Sequence, residues 1–158
     1  MTTKDSKILE LVVQAFQGCP RPEHFTDYRH CGECAEHDQT LSSRTPDSIT
    51  LDELGNPGWD PICFVSPEGF RYYLPGLARL VLEEPTDRHD WYAAQFFWHL
   101  ISDGPANARV NACSPTQRKA VAAFVRHILE TRAEQLDREC LADDAIRAWE
   151  IWNEELAA

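Results

Sequence analysis

A chain of 158 residues, 43% hydrophobic and 26% charged, has the make-up of an ordinary globular protein. The length suits one core and would leave two under-filled, which predicts a single domain over residues 1–158. A formal net charge of −11 argues against nucleic-acid and membrane-surface partners and leaves a basic protein as the charge-compatible partner, although solubility alone accounts for the acidity.

Residues 6–17 read as an amphipathic helix with Ser6 as N-cap and Ile8, Leu9, Leu11, Val12, Val13, Ala15 and Phe16 on one broad face. Gly18, Pro20 and Pro22 end it, since this composition cannot continue a helix. Residues 28–41 lack proline and are compatible with a helix that puts His30, Cys34, His37 and Leu41 on one face, although Gly32 weakens it. Residues 42–61 are rich in Ser, Thr, Asp, Gly and Pro and read as a surface loop. Ile62–Val65 is a short apolar run, either a buried strand or an extended lead-in.

Ser66 and Pro67 supply an N-cap and a first helical residue for a helix to about Leu82, broken or kinked at Pro75-Gly76. An apolar helix follows over 89–101, stopped by Asp103-Gly104-Pro105. Ser114-Pro115 repeats the same start and opens a helix that carries Val121, Phe124, Val125, Ile128 and Leu129 and is free to run on to Cys140. A last helix over 143–156 presents Ile146, Trp149, Ile151 and Trp152. The sum is a mainly α single-domain bundle of five or six helices, with a loop-rich first third and at most a minor strand. No apolar run reaches the roughly 18 residues of a membrane span, and the N-terminus lacks the pattern of a secretory signal, so the expected location is cytoplasmic. The six cysteines are then expected as thiols.

His30-Cys31-Gly32-Glu33-Cys34-Ala35-Glu36-His37 concentrates two imidazoles, two thiols and two carboxylates in one short stretch. A Cys-x2-Cys pair is a common zinc half-site because one turn converges two thiolates, and zinc takes four ligands of this chemistry. Cys31, Cys34 and His37 form the expected core of a structural zinc site. His24 is the expected fourth ligand, with His30 as the alternative and Cys19 also within the segment. Such a metal would fix the Pro-rich first third to the helical body. Two other readings stay open: buried thiols with ordinary imidazoles, and a redox pair, although no strand pattern precedes the Cys-x2-Cys. His99 on its apolar helix reads as a core histidine with a hydrogen-bond partner rather than a base. No phosphate loop, nucleophile elbow or metalloprotease motif is present, and no catalytic residue is expected.

Four stretches carry a resemblance: Cys19–Phe25, His30–His37, Trp59–Phe64 and Gly69–Pro75. Together they resemble a family of short bacterial proteins catalogued as a domain of unknown function, over about residues 15–130. The resemblance implies no activity, substrate or catalytic residue. The stretch Phe70-Arg71-Tyr72-Tyr73-Leu74-Pro75 is also similar to segments of bacterial immunity proteins that neutralise toxins. That likeness, with the acidity and the exposed aromatic candidates Trp59 and Tyr73, implies an alternative function as a partner-binding protein. A metal- or thiol-dependent enzyme using the Cys/His cluster is the further alternative.

Overall fold

A computed structural model describes residues 1–102 and 104–154. Every regular element among the described residues is helical: α1 (Thr3–Ala15), α2 (Gly32–Ser42), α3 (Leu51–Leu54), α4 (Pro67–Val81), α5 (Ala93–Ile101), α6 (Ala108–Asn111), α7 (Pro115–Thr131), α8 (Ala133–Arg138) and α9 (Ala142–Asn153). Three 3-10 turns lie at Pro57–Trp59, Pro61–Phe64 and Gly104–Ala106. None of the described helices is long and apolar enough to cross a membrane.

The mainly α class agrees with the sequence, but nine helices among the described residues replace the expected five or six. The surplus consists of short helices with local causes. α3 is one turn closed by a capping box between Thr50 and Glu53, and α6 is one turn capped by Asn107. α8 is separated from α7 because Arg132 leaves helical geometry (φ −126°, ψ 28°), so the helix from Ser114 does not run on to Cys140. The chain turns after α8 through Cys140, in the left-handed region at φ 57°. Ile62–Val65 is no strand: Asp60 caps a 3-10 turn there by accepting the Ile62 N–H at 2.9 Å.

Other boundaries moved for similar reasons. Thr2, not Ser6, caps α1, because Thr2 and Asp5 exchange a capping box. The face of α1 is also narrower than its pattern: Val12 and Phe16 are buried, whereas Leu11 and Val13 are exposed. α5 begins at Ala93 rather than His89. α4 runs unbroken through Pro75, held by buried Phe70, Tyr73 and Leu74 before it and Leu77, Leu80 and Val81 after it. Asp103 of the expected stop, and residues 155 and 156 of the expected last helix, lie outside the described residues.

The buried apolar side chains form one cluster from α1 to α9. α7 packs against both α1 and α9, and α9 also packs on α5. Phe96 meets Phe124 edge-on at 5.7 Å, and the Trp152 indole donates to the Leu100 carbonyl at 3.0 Å. α4 carries the irregular first third on its flank. A Cβ on Gly76 would stand 2.6 Å from the Pro46 carbonyl oxygen, so glycine lets that loop lie against the helix. Arg79 then donates to the Pro46 and Ile49 carbonyls at 3.0 and 2.6 Å.

Candidate metal centre

The segment between α1 and α2 carries no regular structure, so its backbone groups need outside partners. Asp38 on α2 supplies them. Its carboxylate accepts the Phe25 N–H at 2.6 Å and the Thr26 N–H at 3.1 Å, and it bonds His24 Nδ1 at 2.8 Å. Burial pushes the Asp38 carboxyl up, but the His24, Phe25 and Thr26 bonds outweigh it and leave the pKa lowered. The Thr26 hydroxyl donates to the Cys34 carbonyl at 2.6 Å. Arg21 reaches the Ser42 and Arg44 carbonyls and the Tyr72 hydroxyl. Asp38 and Arg21 thus tie this segment to α2, the loop after it and α4.

α2 starts four residues later than the widest reading of the pattern. Asp27–His30 forms a turn, closed by the His30 N–H on the Asp27 carbonyl at 3.0 Å, and Cys31 becomes the N-cap of an eleven-residue helix. This start aims the Cys31 thiol back along the helix, where its Sγ accepts the Cys34 N–H at 3.4 Å. The two Sγ atoms lie 3.4 Å apart, and His30 Nδ1 lies 3.8 Å from Cys34 Sγ. His30, Cys31 and Cys34 thus bring one nitrogen and two sulfurs within 4.8 Å of one another. Cys34 is buried; His30 and Cys31 face solvent.

The two thiols are electrostatically unlike. The Cys34 N–H, then His30, then the Cys34 thiol lower the Cys31 thiol to about 7. The bond to Cys31, burial, and the charges of Cys31, Asp27 and Glu33 push the Cys34 thiol up. His30 is raised by its bond to Cys31 and by the Cys31 charge.

The other sequence candidates lie elsewhere. His37 is fully buried, stacked on Phe64 at 5.0 Å and tilted against Trp59 at 4.7 Å, with Nε2 3.4 Å from Glu33 Oε1. It stands one helical turn beyond Cys34, inside the contact between α2 and the 61–64 turn, and not with the thiols. His24 faces Asp38 and stacks on Tyr28 at 3.9 Å. Cys19 Sγ accepts a bond from the Gln117 amide at 3.2 Å. Of the expected ligands, the structure brings Cys31 and Cys34 together, and the imidazole beside them is His30. All six cysteines are free thiols.

A second group escaped the sequence reading. Asp60, Cys63 and His99 also place ligand atoms within 4.8 Å of one another. Only the Asp60-x2-Cys63 spacing was visible in the sequence; His99 arrives from α5.

The family described as "Family of unknown function (DUF6714)" matches residues 4–156. The chain belongs to this family. The match is wider than the resemblance at 15–130, taking in α1 and α9. DUF6714 is a family of unknown function, so membership assigns no chemistry. No curated protein and no solved structure matches the chain.

Proposed function

We propose that this protein binds a thiophilic divalent cation, zinc first among them, through His30, Cys31 and Cys34, with a fourth position open to solvent. The single observation that carries this is the spacing of the three donors. A tetrahedral zinc with bonds of about 2.3 Å to sulfur and 2.0–2.1 Å to nitrogen has S–S and S–N edges of about 3.8 and 3.6 Å. Two of the three donor edges, Sγ–Sγ at 3.4 Å and Cys34 Sγ–His30 Nδ1 at 3.8 Å, stand within a few tenths of an ångström of these values, and the third lies within 4.8 Å. The negative charges of Asp27 and Glu33 beside Cys34 favour a cation there. Three protein ligands and an exposed rim fit an open site better than the closed four-ligand structural site that the sequence suggested.

Metal content of protein purified without chelator and without a polyhistidine tag tests this. The wild type is expected to carry one equivalent more zinc than the Cys31→Ser/Cys34→Ser variant. A difference below a tenth of an equivalent overturns the proposal.

A second reading has its own support: Cys31 caps a helix N-terminus and is lowered to about 7, beside a thiol that is raised. Such a pair suits dithiol exchange. The Cys31 thiolate attacks one sulfur of a substrate disulfide and expels the other as a thiolate. The Cys34 thiolate then attacks the Cys31 sulfur of the mixed disulfide, releasing the second substrate thiolate and leaving a Cys31–Cys34 disulfide. The Sγ atoms must close from 3.4 Å to about 2.05 Å. Alkylation of metal-free protein with iodoacetamide should label Cys31 first, with a pH midpoint of about 7. His30→Ala should move that midpoint up, because the imidazole bond to the thiolate is lost. A midpoint in the ordinary thiol range near 8.5 removes the support for this reading. Trapping of a mixed disulfide on Cys31 in the Cys34→Ser variant would favour it over the metal.

A further inference from the structure

We propose that Asp60, Cys63 and His99 form a second thiophilic-cation site, at the wall of a pocket between the 57–64 segment and α5. The inference stands apart from the His30–Cys31–Cys34 site and shares no ligand with it.

Asp60 and His99 are buried at 3% and 1% exposure, and Asp60 Oδ2 lies 2.7 Å from His99 Nε2. Asp60 is held rigidly by two further bonds, from the Ile62 N–H to Oδ1 at 2.9 Å and from the Gln95 amide to Oδ2 at 2.8 Å. One 3-10 turn separates Asp60 from Cys63, which brings the thiol within 4.8 Å of both partners. The set is one oxygen, one nitrogen and one sulfur, the mixed donor chemistry that borderline-soft ions such as zinc accept. Gln95, bonded to the ligand carboxylate, supplies the outer contact that fixes a metal ligand's orientation.

A buried Asp–His pair on its own reads as a packing device. Three observations go beyond that. His99 Nδ1 is buried and has no hydrogen-bond partner among the described residues, so the imidazole is not saturated by the protein. The hydroxyl of Tyr92, buried beside the charges of Asp60 and Cys63, has no partner either. Finally, Asp60, Cys63 and His99 all line one solvent-open pocket of about 310 Å3, together with Pro57, Ala94, Gln95 and Trp98. A cation held by the three side chains keeps a fourth position that opens into this pocket, the arrangement of zinc sites that exchange a water or a small ligand.

Cobalt(II) titration of the full chain in the Cys31→Ser/Cys34→Ser background tests this, because that background removes the first site. The expected result is one bound cobalt with a thiolate-to-metal charge-transfer band. Adding Cys63→Ser should abolish the band and weaken binding by about tenfold or more, with an unchanged melting temperature of the metal-free protein, since Cys63 is exposed. Absence of the band in the double variant, or its survival after Cys63→Ser, overturns the proposal. Loss of the zinc difference described above would leave this experiment unaffected, so the two sites fail separately.

Discussion

Replacing Asp5 with Ala should lower the unfolding free energy by about 3–5 kcal/mol, the usual loss when one partner is removed from a buried ion pair. Asp5 is fully buried. Its carboxylate accepts two bonds from the Arg132 guanidinium, at 2.7 and 2.9 Å, and lies 2.6 Å from His127 Nε2. It also closes the α1 capping box by accepting the Thr2 N–H at 2.8 Å. Removing it strands a guanidinium that is itself mostly buried and opens the reciprocal half of the α1 capping box, leaving the Thr2 N–H without its acceptor. Urea denaturation measures the effect, and a loss under about 1 kcal/mol would show that solvent reaches the pair.

The same contact sets an acid limit. Arg132 first, then His127 and Thr2, hold the Asp5 carboxyl well below its ordinary value, against the opposing effect of burial. Its contribution is therefore complete above the unfolded carboxyl value of about 3.9 and is lost as pH falls below that value. Wild type and Asp5→Ala should accordingly converge in stability as the pH drops below about 4.

Asp38→Ala is the second large effect expected, about 3 kcal/mol. The Phe25 and Thr26 amides, on residues that are 0% and 7% exposed, would lose their acceptor, and each unpartnered buried group costs about 1–3 kcal/mol. The consequence should concentrate in the segment before α2. Hydrogen exchange at Phe25 and Thr26 should accelerate towards the open-chain rate, while amides of α7 keep most of their protection. The Thr26–Cys34 bond would loosen with the segment, so Cys34 should become easier to alkylate. Uniform loss of protection across α7 and the segment alike would mean that Asp38 supports the whole fold rather than this part of it.

Features set by neighbours in sequence were legible before the structure. Ser66-Pro67 and Ser114-Pro115 start helices where they were expected to, because a side-chain cap and a fixed proline φ act over three residues. The convergence of Cys31 and Cys34 follows from their spacing. The partner imidazole does not. Treating 28–41 as one continuous helix lined up His30, Cys34 and His37; a helix that starts at Gly32 frees His30 to fold back and sends His37 under Trp59 and Phe64. His24 was claimed by Asp38, fourteen residues away. His99 is buried with a hydrogen-bond partner as expected, but that partner, Asp60, is 39 residues distant, and Nδ1 has none among the described residues. Long-range pairings of this kind decide the ligands, and a period or a spacing does not encode them.

The packing of α1 on α7 also imposes an order on synthesis. α1 packs on α7 more than on any other helix, and α7 ends only at Thr131. At roughly 5–20 residues per second, the hundred or so residues in between take about 5–20 s to make. For much of that interval α1 has only α4 available to cover its apolar side. α1 is therefore a segment on which a nascent-chain chaperone has time to bind. A message that slows translation between α1 and α7 should lengthen that exposure without altering the finished fold.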